Sequence, residues 1–195
     1  MTDKGEATIN QAFLHSCWKG NKEKVQACLT LEVNVNSIGK TRNKLSITTS
    51  SGLTKAAING HIDVVDLLLT ATGIDINKTN ENGLSALHKI CWISVDRSEI
   101  ITKLCSDPRI KLNKKDTWGR TPAFLACSSL TKNNIIALKN VPGVNWNIKE
   151  DEGDSPLMFV VKKGKTDKVA ELVKIPGIDL NTTNKRGETL EKVAR

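Results

Sequence analysis

One phrase recurs five times along the 195-residue chain, and that recurrence constrains the fold more than any other feature. It reads Val33-Asn34-Val35-Asn36, Ile74-Asp75-Ile76-Asn77, Ile110-Lys111-Leu112-Asn113, Val144-Asn145-Trp146-Asn147 and Ile178-Asp179-Leu180-Asn181. The closing asparagines lie 41, 36, 34 and 34 residues apart. A fixed period in the range of roughly 20–50 residues marks one supersecondary unit stacked on copies of itself. Each unit buries little apolar surface alone, so its stability comes from its neighbours.

A second phrase runs in step with the first. It reads Gly83-Leu84-Ser85-Ala86-Leu87-His88-Lys89-Ile90-Cys91, then Gly119-Arg120-Thr121-Pro122-Ala123-Phe124-Leu125-Ala126-Cys127, then Gly153-Asp154-Ser155-Pro156-Leu157-Met158-Phe159-Val160-Val161. Ser or Thr before Pro is a helix N-cap, with proline at the first helical position where its missing N–H costs nothing. The small residues Ala56-Ala57, Cys91 and Ala126-Cys127 allow close approach between first helices. A third phrase, Gly60-His61-Ile62-Asp63-Val64-Val65-Asp66-Leu67-Leu68-Leu69, predicts a second helix. Val64, Val65, Leu68 and Leu69 form its apolar stripe. Gly60 and Gly164 fall between the two helices, where a helix end favours positive φ.

Together these phrases resemble the ankyrin repeat, a β-turn and two helices repeated about every 33 residues. The resemblance covers nearly the whole chain, from about Ile9 to Arg195. It implies an all-α solenoid of paired antiparallel helices with β-turn fingers and few true strands. The repeats are expected at 9–36, 37–77, 78–113, 114–147 and 148–181, with a half-repeat at 182–195, in a single domain. The first repeat lacks the Asp-x-x-Gly turn and reads as a cap. Extra residues between Asn36 and Leu53, including Lys40, Arg42 and Lys44, predict a longer, mobile basic loop, and Ser51-Gly52-Leu53-Thr54 stands where Thr-Pro-Leu-His belongs. Two more extra residues lie around Ser94 to Arg97. The last unit stops after its first helix, either as a minimal cap or because the chain was cut from something longer.

Charge narrows the partner. Lys and Arg number 29 against 21 Asp and Glu, a net charge of +8. The excess is spread along the chain instead of gathered on one arm, which argues for a solvated surface over nucleic-acid binding. No apolar run approaches the length of a membrane span. Residues 1–6 have neither a basic nor an apolar stretch of a secretory signal. Five cysteines without a C-x-x-C pair read as reduced core thiols, with Cys17, Cys91 and Cys127 at equivalent packing positions. An intracellular protein, cytoplasmic or nuclear and monomeric, is the expectation.

Nothing in the chain predicts catalysis, a cofactor or a metal. His88 and Cys91 share a helical face, but His15 and His61 fall in other repeats. The resemblance implies that His88 hydrogen-bonds between adjacent turns. No nucleophile elbow and no phosphate-binding glycine loop occurs. The acidic run Glu150 to Asp154 lacks the spacing of a calcium loop and reads as a solvated turn.

The resemblance implies a protein partner, bound in a concave groove lined by turn tips and by the exposed ends of first helices. Trp18-Lys19, Asn59, Trp92-Ile93, Ser128-Ser129 and Lys162-Lys163 hold equivalent helix-end places. Trp118 with Arg120, Glu152 with Asp154, and Lys185 with Arg186 hold the tips. Trp and Arg are enriched at binding hot spots. The alternative is that these rings pack against neighbouring helices; Trp146, inside the recurring phrase, is assigned to the core. Three other roles stay open: a regulatory or targeting module of a larger enzyme or channel, an inhibitor of Rel-type transcription factors, and direct nucleic-acid binding.

Overall fold

The computed structural model describes residues 3–43 and 46–194. Its contacts divide the chain into two compact units, Met1–Ala86 and Leu87–Arg195. Both are built mainly of short helices in antiparallel pairs.

In the first unit, α1 (Asp3–Lys19) pairs with α2 (Lys22–Thr30), and α3 (Gly52–Asn59) pairs with α4 (Ile62–Leu69). Helix α1 packs on α3, and α2 on α4. Phe13, Cys17, Val25, Leu53, Ala56, Ala57, Val64, Val65 and Leu68 fill the space between them. Gly60 ends α3 at φ 84°, donating to the carbonyls of Ala56 and Ala57, a left-handed cap that a side chain would strain. Ser51 replaces the Thr of the missing Thr-Pro pair and caps α3 by accepting from the Thr54 N–H.

The extra residues of this unit are not the expected loop. They form an antiparallel hairpin of β1 (Ile38–Asn43) and β2 (Ser46–Ser51), with Ile38 opposite Ser51 and Lys40 opposite Thr49. The β-branched Ile47, Thr48 and Thr49 favour a strand over a loop. Each strand is tied to a residue outside the hairpin, β1 to Lys55 of α3 and β2 to Glu81 in a turn beyond α4. Lys55 Nζ reaches the Lys40 carbonyl at 3.5 Å, and the Glu81 carboxylate accepts from the Thr49 N–H at 3.3 Å and from its hydroxyl. Lys44 lies outside the described residues.

The second unit contains α5 (Ala86–Trp92), α6 (Ser98–Ser106), α7 (Pro122–Ser128), α8 (Asn133–Lys139), α9 (Pro156–Lys162), α10 (Thr166–Leu172) and the short α11 (Leu190–Val193). Helix α6 packs on α8 and α8 on α10, while α7 packs on α9 and α9 on α11. Thr121 and Ser155 cap α7 and α9 from the residue before the proline, accepting from the N–H groups of Phe124 and Met158. Trp146 is 4 % exposed and belongs to the core.

The closing asparagine of the recurring phrase now has a physical reason. Its amide binds the next turn in both directions. Asn113 Nδ2 donates to the Gly143 carbonyl at 2.7 Å, and its Oδ1 accepts from the Asn145 N–H at 2.8 Å. Asn147 repeats this with Gly177 and Asp179, and Asn36 with Gly73 and Asp75. A donor and an acceptor on one short planar group suit this double contact, which a carboxylate would lose.

Candidate partner-binding site

The turn following Asn113 is organised by one buried carboxylate. Asp116 Oδ1 accepts from the N–H groups of Trp118 and Arg120, both at 2.9 Å. The Asp116 N–H donates to the Arg120 carbonyl at 2.9 Å, which closes the loop. Gly119, at φ 72°, allows the chain to reverse there, and a side chain would strike Asp151 of the next turn. The other oxygen of Asp116, Oδ2, takes the Arg120 guanidinium through Nε at 2.8 Å and Nη2 at 2.7 Å. The Asp116 side chain is fully buried, so the pair is shielded from water on that side.

This ion pair aims the guanidinium at two tryptophans. Its central carbon lies 4.5 Å from the centre of the Trp118 ring and 5.8 Å from that of Trp92. Both distances fall within cation–π range. Trp92 remains 44 % exposed and Trp118 46 %. Lys89 Nζ is 5.7 Å from the Trp92 ring. Below them, His88 Nε2 bonds the Lys114 carbonyl at 2.9 Å, fastening α5 to the base of the turn. Burial lowers the His88 pKa to about 4, so the imidazole is neutral.

The next turns reuse the scaffold with other chemistry. Glu150 accepts from the N–H groups of Glu152 and Asp154, and Asn184 from those of Arg186 and Glu188. Asp154 does not stand alone at its tip. It pairs with Lys162 at 2.7 Å, and Lys162 also reaches Glu188 at 3.1 Å. Lys163 is exposed beside the Phe159 ring. Arg186 and Glu152 form a loose, exposed pair at 3.6 Å, and the Lys185 N–H donates to the Glu152 carbonyl. Exposed pairs of that kind contribute little energy.

Ser129 departs from its assignment to the binding surface. It is 2 % exposed, and its hydroxyl donates to the Ile93 carbonyl at 3.0 Å. It falls inside because the chain turns from α7 toward α8 there and needs a donor for the end of α5. Ser128 bonds back to the Leu125 carbonyl, and Ile93 is half-buried. In the first unit, Trp18 is 41 % exposed, with Lys19 Nζ 4.5 Å over its ring. Asn59 is exposed and donates to the Lys55 carbonyl.

Two buried polar residues carry a device that the recurring phrases do not announce. Asn134 and Lys168 stand at the start of α8 and α10, 34 residues apart, where the apolar stripe has Val64 in α4. Asn134 Nδ2 donates to the carbonyls of Cys91 at 2.9 Å and Ile93 at 3.2 Å. Lys168 Nζ donates to those of Cys127 at 2.9 Å and Ala126 at 3.4 Å, and to that of Ser129. Each satisfies the open carbonyl end of the preceding first helix. A polar residue interrupting an apolar stripe was the available signal.

Among the described residues, no group of three or more His, Cys, Asp or Glu is arranged to hold a metal ion. No helix among them is long and apolar enough to cross a membrane. A family model described as ankyrin repeats (many copies) matches residues 53–104, which run from α3 through most of α6. No curated protein matches the chain.

Proposed function

From the match of residues 53–104 to ankyrin repeats and the paired helices on either side of it, we propose that this chain is an ankyrin-repeat protein and a non-catalytic adaptor that binds another protein through its turn tips and first-helix ends. The observation that carries this reading is the pair of half-exposed indoles, Trp92 and Trp118, fixed around Arg120. Large apolar rings left near water on a rigid support are suited to bury area on binding at little entropic cost. In this reading the surface acts as a preformed platform, and Lys162 with Asp154 forms a structural rim beside it.

Affinity capture by the intact chain, compared with Trp118→Ala, tests it. A partner retained by the parent and weakened by about 2 kcal/mol or more in the variant is the expected result. The melting temperature should stay nearly constant, since a turn-tip ring contributes little to the packed core. A large drop in melting temperature with unchanged partner affinity would make Trp118 a packing residue and refute the assignment.

A further inference from the structure

Resting on that reading, we propose that Trp92, Trp118 and Arg120 recognise an acidic segment of the partner protein. In that segment one Asp or Glu side chain stands beside a bulky apolar residue.

The guanidinium is a planar fork with two usable edges. One edge, Nε with Nη2, is committed to Asp116 Oδ2. Nη1 on the other edge makes no hydrogen bond among the described residues, and the side chain is 24 % exposed. Two rings and a buried carboxylate already restrain the group, so little rotamer freedom is left to lose on binding. An oriented guanidinium edge matches a carboxylate in bidentate geometry. The same edge also fits a phosphate, but the local charge separates the two. Asp116 leaves the Arg120 pair without net charge, and the Asp151 carboxylate lies against Gly119 beside it. The Asp151 carboxylate repels a phosphate dianion about twice as strongly as a singly charged carboxylate, so the smaller charge is preferred. A side chain next to that carboxylate lands on the exposed indole surface, which calls for an aliphatic or aromatic group. The net charge of +8 favours the approach of an acidic segment.

The test selects peptides from a displayed random library against the intact chain. The tightest peptide is then made in three forms, with its acid intact, exchanged for the amide, and exchanged for phosphoserine. Each is titrated against the parent, Arg120→Lys and Trp118→Ala, with the melting temperature of every variant recorded. Arg120→Lys retains a cation for Asp116 but lacks the second edge. The expected peptides place Asp or Glu next to Leu, Ile, Phe or Trp. Loss of the acid should weaken binding to the parent about tenfold or more, and to Arg120→Lys far less. Phosphoserine should bind no more tightly than the acid. If Arg120→Lys does not fold, the amide peptide on the parent and the Trp118→Ala titration decide. Peptides lacking an acid, an equal amide loss on Arg120→Lys, or tighter binding of phosphoserine each overturn the proposal. Peptides indifferent to both variants refute this inference and leave protein binding at another face standing, whereas failure to select any peptide counts against both.

Discussion

The ammonium of Lys168 is buried at the end of α7, where it donates to the Cys127 carbonyl at 2.9 Å. A helix C-terminus carries partial negative charge, which a cation offsets. Burial nevertheless dominates and lowers the Lys168 pKa to about 8 from an ordinary 10.5, with nearby Lys165 acting in the same direction. Lys168→Ala leaves those carbonyls without a donor and opens a void, and should destabilise the chain by about 2 kcal/mol. Between pH 8 and 10.5 the unfolded chain holds a proton here that the folded chain has lost. Stability of the parent relative to Lys168→Ala should therefore grow across that interval. Denaturant melts of both proteins from pH 7 to 10.5 measure it, and a gap that shrinks with pH would contradict the burial of this amine.

His88 works in the acid range. Its folded pKa, lowered to about 4 by burial, lies below the unfolded value of 6.5. The unfolded state therefore binds more protons between those limits, and the stability from neutral His88 is lost as pH falls through them. The full effect amounts to about 3 kcal/mol at most. His88→Gln should flatten the stability profile from pH 7 to 4, and an unchanged slope would place the acid sensitivity elsewhere.

What could be read in advance was local. Thr121-Pro122 and Ser155-Pro156 declare a helix start within a few residues, because capping depends only on the adjacent backbone. For the tryptophans the sequence leaves exposure and packing both open: Trp18, Trp92 and Trp118 are half-exposed, and Trp146 is buried as its place in the recurring phrase implies. Features that depend on partners distant in sequence were not legible. The local sequence at 38–51 predicts a loop, because the Glu81 contact that holds the hairpin lies about thirty residues on. Burial of Ser129 follows from its bond to Ile93, and of Lys168 from the carbonyls of α7. Arg120 lies beside Trp118 and Trp92 as its turn-tip position implies, while its local pairing with Asp116 has no signature in the recurring phrases.

The thiols should react in an order set by burial. Cys17, Cys91 and Cys127 are fully buried, and desolvation raises the pKa of Cys17 and Cys127 to about 12. Cys105 is half-buried, and its thiol is raised to about 11. Thiolate is the reactive form, so labelling of native protein should begin at Cys105 and reach the other three only with unfolding. Mass spectrometry of time-resolved labelling reads the order, and early modification of Cys91 or Cys127 would contradict the core packing.

The segment from Asn184 through α11 should be the least stable part of the second unit. Helix α11 is four residues long and buries none of them. Its turn is held by Lys162, which bridges Asp154 at 2.7 Å and Glu188 at 3.1 Å, and by Asn184, which donates to both carboxylates. Hydrogen bonding to Asn184 and Lys162 lowers the pKa of Glu188, a sign that the network favours its ionised form. Lys162 is only partly buried, so its loss is worth roughly 1 kcal/mol or less. That is small against global stability but comparable to the opening energy of a terminal segment. Lys162→Met should accelerate amide exchange at residues 184–194 severalfold, while α7 and α8 keep their protection. Equal acceleration throughout the second unit would mean that this segment opens only with the rest, and would remove Lys162 as its local clamp.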